Sequence, residues 1–141
     1  MTVLQDAMHN RLSTDALIAS GVSVYRTKPA VFSELPVQGW DDPTAVYIVI
    51  SPPIDDESRD SKNTTRAREV MHDVSVYGPQ TGDSSLVDTL AERVRDLFHR
   101  EPLTVSGYGT LIASCTGPIL APTDDQIYGR VVMVRHMVIK A

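Results

Sequence analysis

The sequence predicts an α+β fold: a mostly antiparallel β-sheet packed by two main α-helices, in the order α-β-β-β-α-β-β, with long loops. Three stretches carry that expectation. Val87, Leu90, Ala91, Val94, Leu97 and Phe98 recur at the i, i+3, i+4, i+7 spacing of one helix face. Val70, His72, Val74 and Val76 alternate with Met71, Asp73, Ser75 and Tyr77, the period of a half-buried strand. Ile127 to Ile139 is a long closing strand rich in valine and methionine.

The amphipathic helix comes with its own punctuation. Ser85 followed by Asp88 fits a capping box, and Asp83 adds negative charge where the helix dipole favours it. Arg95, His99 and Arg100 lie near the opposite end, and Pro102 closes the helix. At the N-terminus, Thr2 and Gln5 form a second capping box ahead of the stripe Leu4, Ala7, Met8 and Leu12. Ser13, Thr14 and Asp15 interrupt that stripe, so a short second helix, DALIAS, follows and ends at Gly21. Val22 to Arg26 reads as a first strand.

From Thr27 to Thr44 the chain is irregular, with Pro29, Pro36, Gly39 and Pro43 as breakers and Trp40 among them. Ala45 to Ser51 is apolar on both faces, which suits a central strand. The stretch from Ser51 to Glu69 carries five acidic and four basic residues and reads as a mobile loop or extended hairpin. Thr110 to Thr116 is a strand, broken at Gly117-Pro118 and resumed through Ile119 to Ala121, and Pro122 to Gln126 is a turn.

At 141 residues the chain is expected to be a single domain, residues 1–141, with a core that needs no disulfide staples. A net charge of −5 argues against a dedicated nucleic-acid binder. Cys115 is the single cysteine, so no internal disulfide forms. The N-terminal MTVLQDAMHN lacks the basic and apolar regions of a signal peptide, and no apolar run reaches the ~20 residues of a membrane span. Soluble synthesis in a cytoplasm is the expectation.

Motifs for catalysis fail on chemistry. Gly78 to Ser85 sits where a phosphate loop would, but only three residues separate its glycines and Asp83 replaces the lysine. It reads as an ordinary turn. His9, His72, His99 and His136 lack the paired spacing of metal ligands. His72 and His136 read as strand histidines that are hydrogen-bonded or partly exposed. Cys115 alternates with Leu111 and Ala113 as a small core residue. Asp55, Asp56, Glu57 and Asp60 lack the glycine and terminal glutamate of a calcium loop. No cofactor, metal or catalytic residue is expected.

Taken together, the elements resemble the tail terminator (tail-completion, head–tail joining) proteins of long-tailed phages. The likeness rests on VLQDAMHNRLSTDALIASGVSVY, on AVYIVIS, on HDVSVYGPQTGDSSLVDTLAERVRDLF and on the closing strand from Ile127 to Ile139. Tyr77 stands where relatives often place tryptophan. The resemblance implies a non-enzymatic virion protein at the head–tail junction. It would form a hexameric ring that caps the tail tube and joins it to the head connector. Partners would be further copies, the tail tube protein and the connector. No membrane and no specific nucleic acid are implied, although DNA passes through such a ring. Within this reading, Arg59, Lys62, Arg66 and Arg68 would bind acidic groups on neighbours, and Asp55, Asp56 and Glu57 basic ones. The alternative is a small ligand-binding domain or enzyme using the 27–44 and 51–68 loops as a lid.

Overall fold

The computed structural model describes residues 2–33, 44–58, 67–105, 107–121 and 127–140. Three helices, α1 (Thr2–Thr14), α2 (Ala16–Gly21) and α3 (Ser85–Phe98), accompany eight strands among these residues. The strands are β1 (Val24–Tyr25), β2 (Lys28–Pro29), β3 (Val31–Phe32), β4 (Tyr47–Ile50), β5 (Asp55–Ser58), β6 (Ala67–Pro79), β7 (Tyr108–Leu120) and β8 (Ile127–Lys140). The main sheet runs β3-β4-β6-β8-β7, with β5 also paired to β6. Only β3 and β4 are parallel; every other pair is antiparallel, giving the α+β class the sequence predicts.

The alternation along β6 is resolved as expected. Val70, His72, Val74 and Val76 are buried and the residues between them are half-buried. β6 and β8 pair along their whole lengths, from Ala67 opposite Ile139 to Pro79 opposite Ile127. That register sets Val132, Val134, His136 and Val138 on the same buried face. Val87, Leu90, Ala91, Val94 and Phe98 of α3 lie against it, with Leu4, Met8 and Leu12 of α1. Burying each large apolar side chain stabilises the fold by about 1.5–3 kcal/mol. Gly78 permits the close approach of α3, since a Cβ there would lie 2.8 Å from a Val87 methyl.

The α3 capping box is corrected. Ser85 is the first residue of α3, and the Asp83 carboxylate accepts the Ser85 N–H at 2.9 Å. Ser84 occupies the cap position, and its hydroxyl donates to Asp88 at 3.0 Å. At α1, the Gln5 side-chain amide donates to the carbonyls of Ser33, Ile50 and Ser51 at 3.1–3.3 Å, tying the helix to two strand ends. Buried strand-end carbonyls need donors, and a long amide satisfies several at once.

The end of α3 closes one edge of the sheet. Arg95 donates to the Gly117 carbonyl at 2.6 Å, and the Cys115 N–H donates to His99 Nδ1 at 3.1 Å. Backbone N–H of Arg100 takes the Ala113 carbonyl at 2.8 Å. The edge groups so occupied are not available to template further pairing. β7 runs through the predicted break as one strand with a register shift between Thr116 and Ile119. Gly117, at φ 101°, supplies the backbone conformation that this bulge requires.

Other expectations shift. The stretch after Thr27 is not wholly irregular: β2 and β3 lie within it, whereas residues 34–43, with Trp40, fall outside the described residues. β4 lies near the sheet edge, flanked only by the two-residue β3. The acidic stretch forms an extended hairpin arm, β5 on β6, while residues 59–66 and the predicted 122–126 turn fall outside the described residues.

His72 and His136 are neither hydrogen-bonded nor partly exposed. Both are 0% exposed, and no ring nitrogen of either finds a partner among the described residues. The ring of Phe98 meets His136 edge-on, with centroids 6.3 Å apart. Arg11 stacks over the same Phe98 ring, 5.9 Å from its centroid, and donates to the carbonyls of Leu97, Glu101 and Pro102. Burial lowers both histidines from 6.5 to about 4. The unfolded chain therefore binds these protons below pH 6.5, and the folded chain does so only near pH 4. Above pH 6.5 the pair leaves stability unchanged; below it stability falls, by about 2 kcal/mol per histidine at pH 5. Urea unfolding at pH 7 and pH 5 should show this loss, and replacing both histidines by leucine should flatten it.

Candidate functional site

The structure places an open groove beside the β1–β2 hairpin. Tyr25 and Lys28 pair across a two-residue turn, and Arg26 and Thr27 have φ of 48° and 69°. Positive φ at both central positions is what a type I′ hairpin turn requires, and glycine or asparagine normally supplies it. A β-branched threonine there is strained. The hairpin is also exposed: Val24 is 69% accessible, and Arg26, Thr27 and Lys28 face solvent.

Its base is held by several short links. Ser23 N–H donates to the Val46 carbonyl at 2.8 Å, and Val46 N–H donates to the Ser23 hydroxyl at 2.9 Å. Ala30 donates to the Ser23 carbonyl, and Ile48 to that of Ala30. On the helical side, Asp15 caps α2 by accepting the Ile18 N–H, and Arg93 of α3 binds the same carboxylate at 2.7 and 3.1 Å. The Arg93 hydrogen bonds hold the Asp15 carboxyl below its usual range. Thus α3 positions α2, and α2 leads into the hairpin.

The groove has a volume of about 620 Å³ and runs between α1 and the hairpin. His9 forms one wall and donates from Nε2 to the Val31 carbonyl at 2.8 Å. Val31 and Phe32 line it, and the Phe32 ring meets Tyr25 edge-on at 5.3 Å. Arg26 stacks 5.3 Å from the Tyr25 centroid, and Lys28 completes a cationic rim. From Phe32 an aromatic row continues across the helix-free face of the sheet through Tyr47 and Tyr77 at 6.4 and 5.4 Å. The arrangement offers an apolar floor, aromatic walls and positive charge, which suits binding an acidic or aromatic partner.

The predicted interface residues fall in a different place. Asp55, Asp56 and Glu57 lie exposed on β5. Arg68, on β6, binds Asp56 through both guanidinium and carboxylate, with Nε 2.9 Å from Oδ1. These two residues, expected to reach for opposite groups on neighbours, satisfy each other within one chain. Their partnership follows from the register, which sets Ser58 opposite Arg68 and brings Asp56 diagonally across. Arg59, Lys62 and Arg66 fall outside the described residues.

Tyr47, His72 and His136 do not converge on a cavity, because the two histidines are enclosed under the helices. Burial pushes the Cys115 thiol up to about 11, which matches the core role expected of it and suppresses thiolate chemistry. Among the described residues no three His, Cys, Asp or Glu side chains are grouped to hold a metal ion. The hairpin escaped the sequence reading because Arg26-Thr27 is not a turn-forming pair. The only signal was two short β-prone runs with Pro29 behind them.

Solved structures share this fold over nearly the whole chain. The fold is shared with a chain of the virion of a native gene transfer agent particle. The TM-score is 0.77 at 18% identity, over 99% of this chain and 96% of that one. A second solved chain matches at a TM-score of 0.56 and 15% identity, over 99% and 94% of the two chains. No family model and no curated protein matches the sequence. No helix among the described residues is long and apolar enough to cross a membrane.

The strained turn gives a direct check. Replacing Thr27 by glycine should raise stability by roughly 1 kcal/mol, by removing the positive-φ penalty. Urea midpoints of the two proteins measure it, and a lowered midpoint would show that the threonine makes contacts worth more than its strain.

Proposed function

We propose that this protein is a structural component of a phage-like virion that caps the tail tube as a ring. In this role it ends tube polymerisation and offers the head connector a surface to bind. The observation that carries the virion assignment is the end-to-end fold match, at a TM-score of 0.77, to a chain of a gene transfer agent virion. The tail-capping role rests on the sequence resemblance to tail terminators. A six-fold ring needs head-to-tail contacts between two different surfaces of the same chain, closing by rotation. Two exposed surfaces of opposite charge, the cationic hairpin and the acidic β5, are compatible with such a contact.

The second reading, a small ligand-binding domain, is favoured by the volume of the hairpin groove, about 620 Å³. Ligand pockets of that size usually enclose their ligand and converge on a few polar groups. Here the charged groups stand at an open rim, so the assembly reading accounts for more of the site.

Incubating the purified protein with tail tubes and imaging them by negative stain tests the proposal. Capped tubes of uniform length and six-fold end views are the expected result. Tubes that lengthen without limit in its presence would refute tail capping. Light scattering over a concentration series should show monomers moving toward a six-fold species, and a stable isologous dimer at all concentrations would argue against a ring.

The 51–68 stretch supplies a second check, on the expectation that it serves assembly more than folding. Changing Arg59, Lys62 and Arg66 together to glutamate should leave the melting temperature within a few degrees of the parent, since exposed ion pairs are worth at most ~1 kcal/mol each. Tube capping should fall sharply, seen as overlong or headless tails. Normal capping by the folded triple variant would remove these residues from the interface.

A further inference from the structure

Resting on the ring reading and deepening it, we propose that the hairpin groove receives the acidic edge strand β5 of a second copy of this chain. The first ground is charge. Copies with a net charge of −5 repel one another, so a contact between them needs local opposition of charge. Arg26 and Lys28 stand exposed on the groove rim, while Asp55 and Glu57 stand exposed on β5. The register sets Asp55 opposite Met71 and Glu57 opposite Glu69, so both carboxylates point to one side of the strand, about 7 Å apart. Asp56 points to the other side and is occupied by Arg68.

The second ground is the state of the sheet edges. At β7 the edge groups of residues 113–117 are taken by Arg95, His99 and Arg100. Among the described residues β5 pairs with β6 alone, and a strand at such a position offers backbone groups to a neighbour. The third ground is apolar surface beside each partner: Ile54 precedes β5 at 50% exposure, and Val24 of the hairpin is 69% exposed. Val31 and Phe32 give the groove an apolar floor on which a side chain such as Ile54 can rest. Because groove and strand are different surfaces, the contact is head-to-tail and propagates to closure.

Cysteine pairing reads this contact without requiring a closed ring or a tail. A chain carrying Lys28→Cys is mixed with one carrying Glu57→Cys under mild oxidation; buried Cys115 stays silent. Disulfide-linked heterodimer should exceed, by about tenfold, that from Lys28→Cys mixed with a chain carrying Ser20→Cys on exposed α2. Adding Arg26→Glu to the first chain should cut the yield several-fold, and adding Asp55→Arg to the second should restore it. Yield no greater than the Ser20→Cys control, or no response to the charge swap, overturns the pairing. The two readings fail separately. Cross-linked pairs without six-fold rings or tail capping would leave the contact standing and refute the ring; rings that form without the cross-link would do the reverse.

Discussion

The structure depends on one register. β6 and β8 face each other over thirteen residues of β6, and this pairing decides which side of every other element is inside. Val70, His72, Val74 and Val76 share a face with Val132, Val134, His136 and Val138. A slip by one residue would send all of them to the helix-free side and bring Met71, Asp73 and Ser75 under α3. Two histidines without partners are the cost of that arrangement, since no donor or acceptor reaches their ring nitrogens among the described residues. Neutral imidazoles tolerate such burial far better than charged ones.

Upon this face α3 acts as the coordinator. Its middle packs on the valines, Arg93 holds the cap of α2, and its last turn occupies the outer edge of β7. Arg11 of α1 in turn binds the carbonyls at its C-terminus. One helix therefore fixes a sheet face, a sheet edge and the element leading to the hairpin. Arg11, Arg93 and Arg95 do this with charged side chains on backbone or carboxylate partners, which are stronger than neutral pairs.

The charge distribution follows from the same frame. Among the described residues β5 pairs with β6 alone, and its carboxylates discourage indiscriminate edge pairing. Glu57 faces Glu69 across the β5–β6 ladder, a like-charge opposition, and Arg135 binds Glu69 at 3.0 Å to relieve it. The hairpin groove concentrates positive charge and strained backbone at the other exposed surface. The proposed assembly role draws on these two exposed surfaces of opposite charge.

Sequence alone determined the elements whose burial is periodic. The α3 stripe, the β6 alternation, the α1 stripe of Leu4, Met8 and Leu12 and the long β8 all carry a single face, and a single face is written in the spacing of apolar residues. Gly117-Pro118 marked the place of the β7 register shift, although the strand continues through it. Tertiary structure decided everything that depends on a distant partner. Gln5 reached the carbonyls of Ser33, Ile50 and Ser51, and Asp56 and Arg68 met across the β5–β6 ladder. His72 and His136 became enclosed because α3 and Phe98 cover them. The Arg26-Thr27 turn formed against its own backbone preferences because Ser23, Ala30 and β4 clamp the chain on either side of it. A sequence displays periodicity and local propensity; it does not display which carbonyl, carboxylate or ring will stand within hydrogen-bonding distance once the sheet has closed.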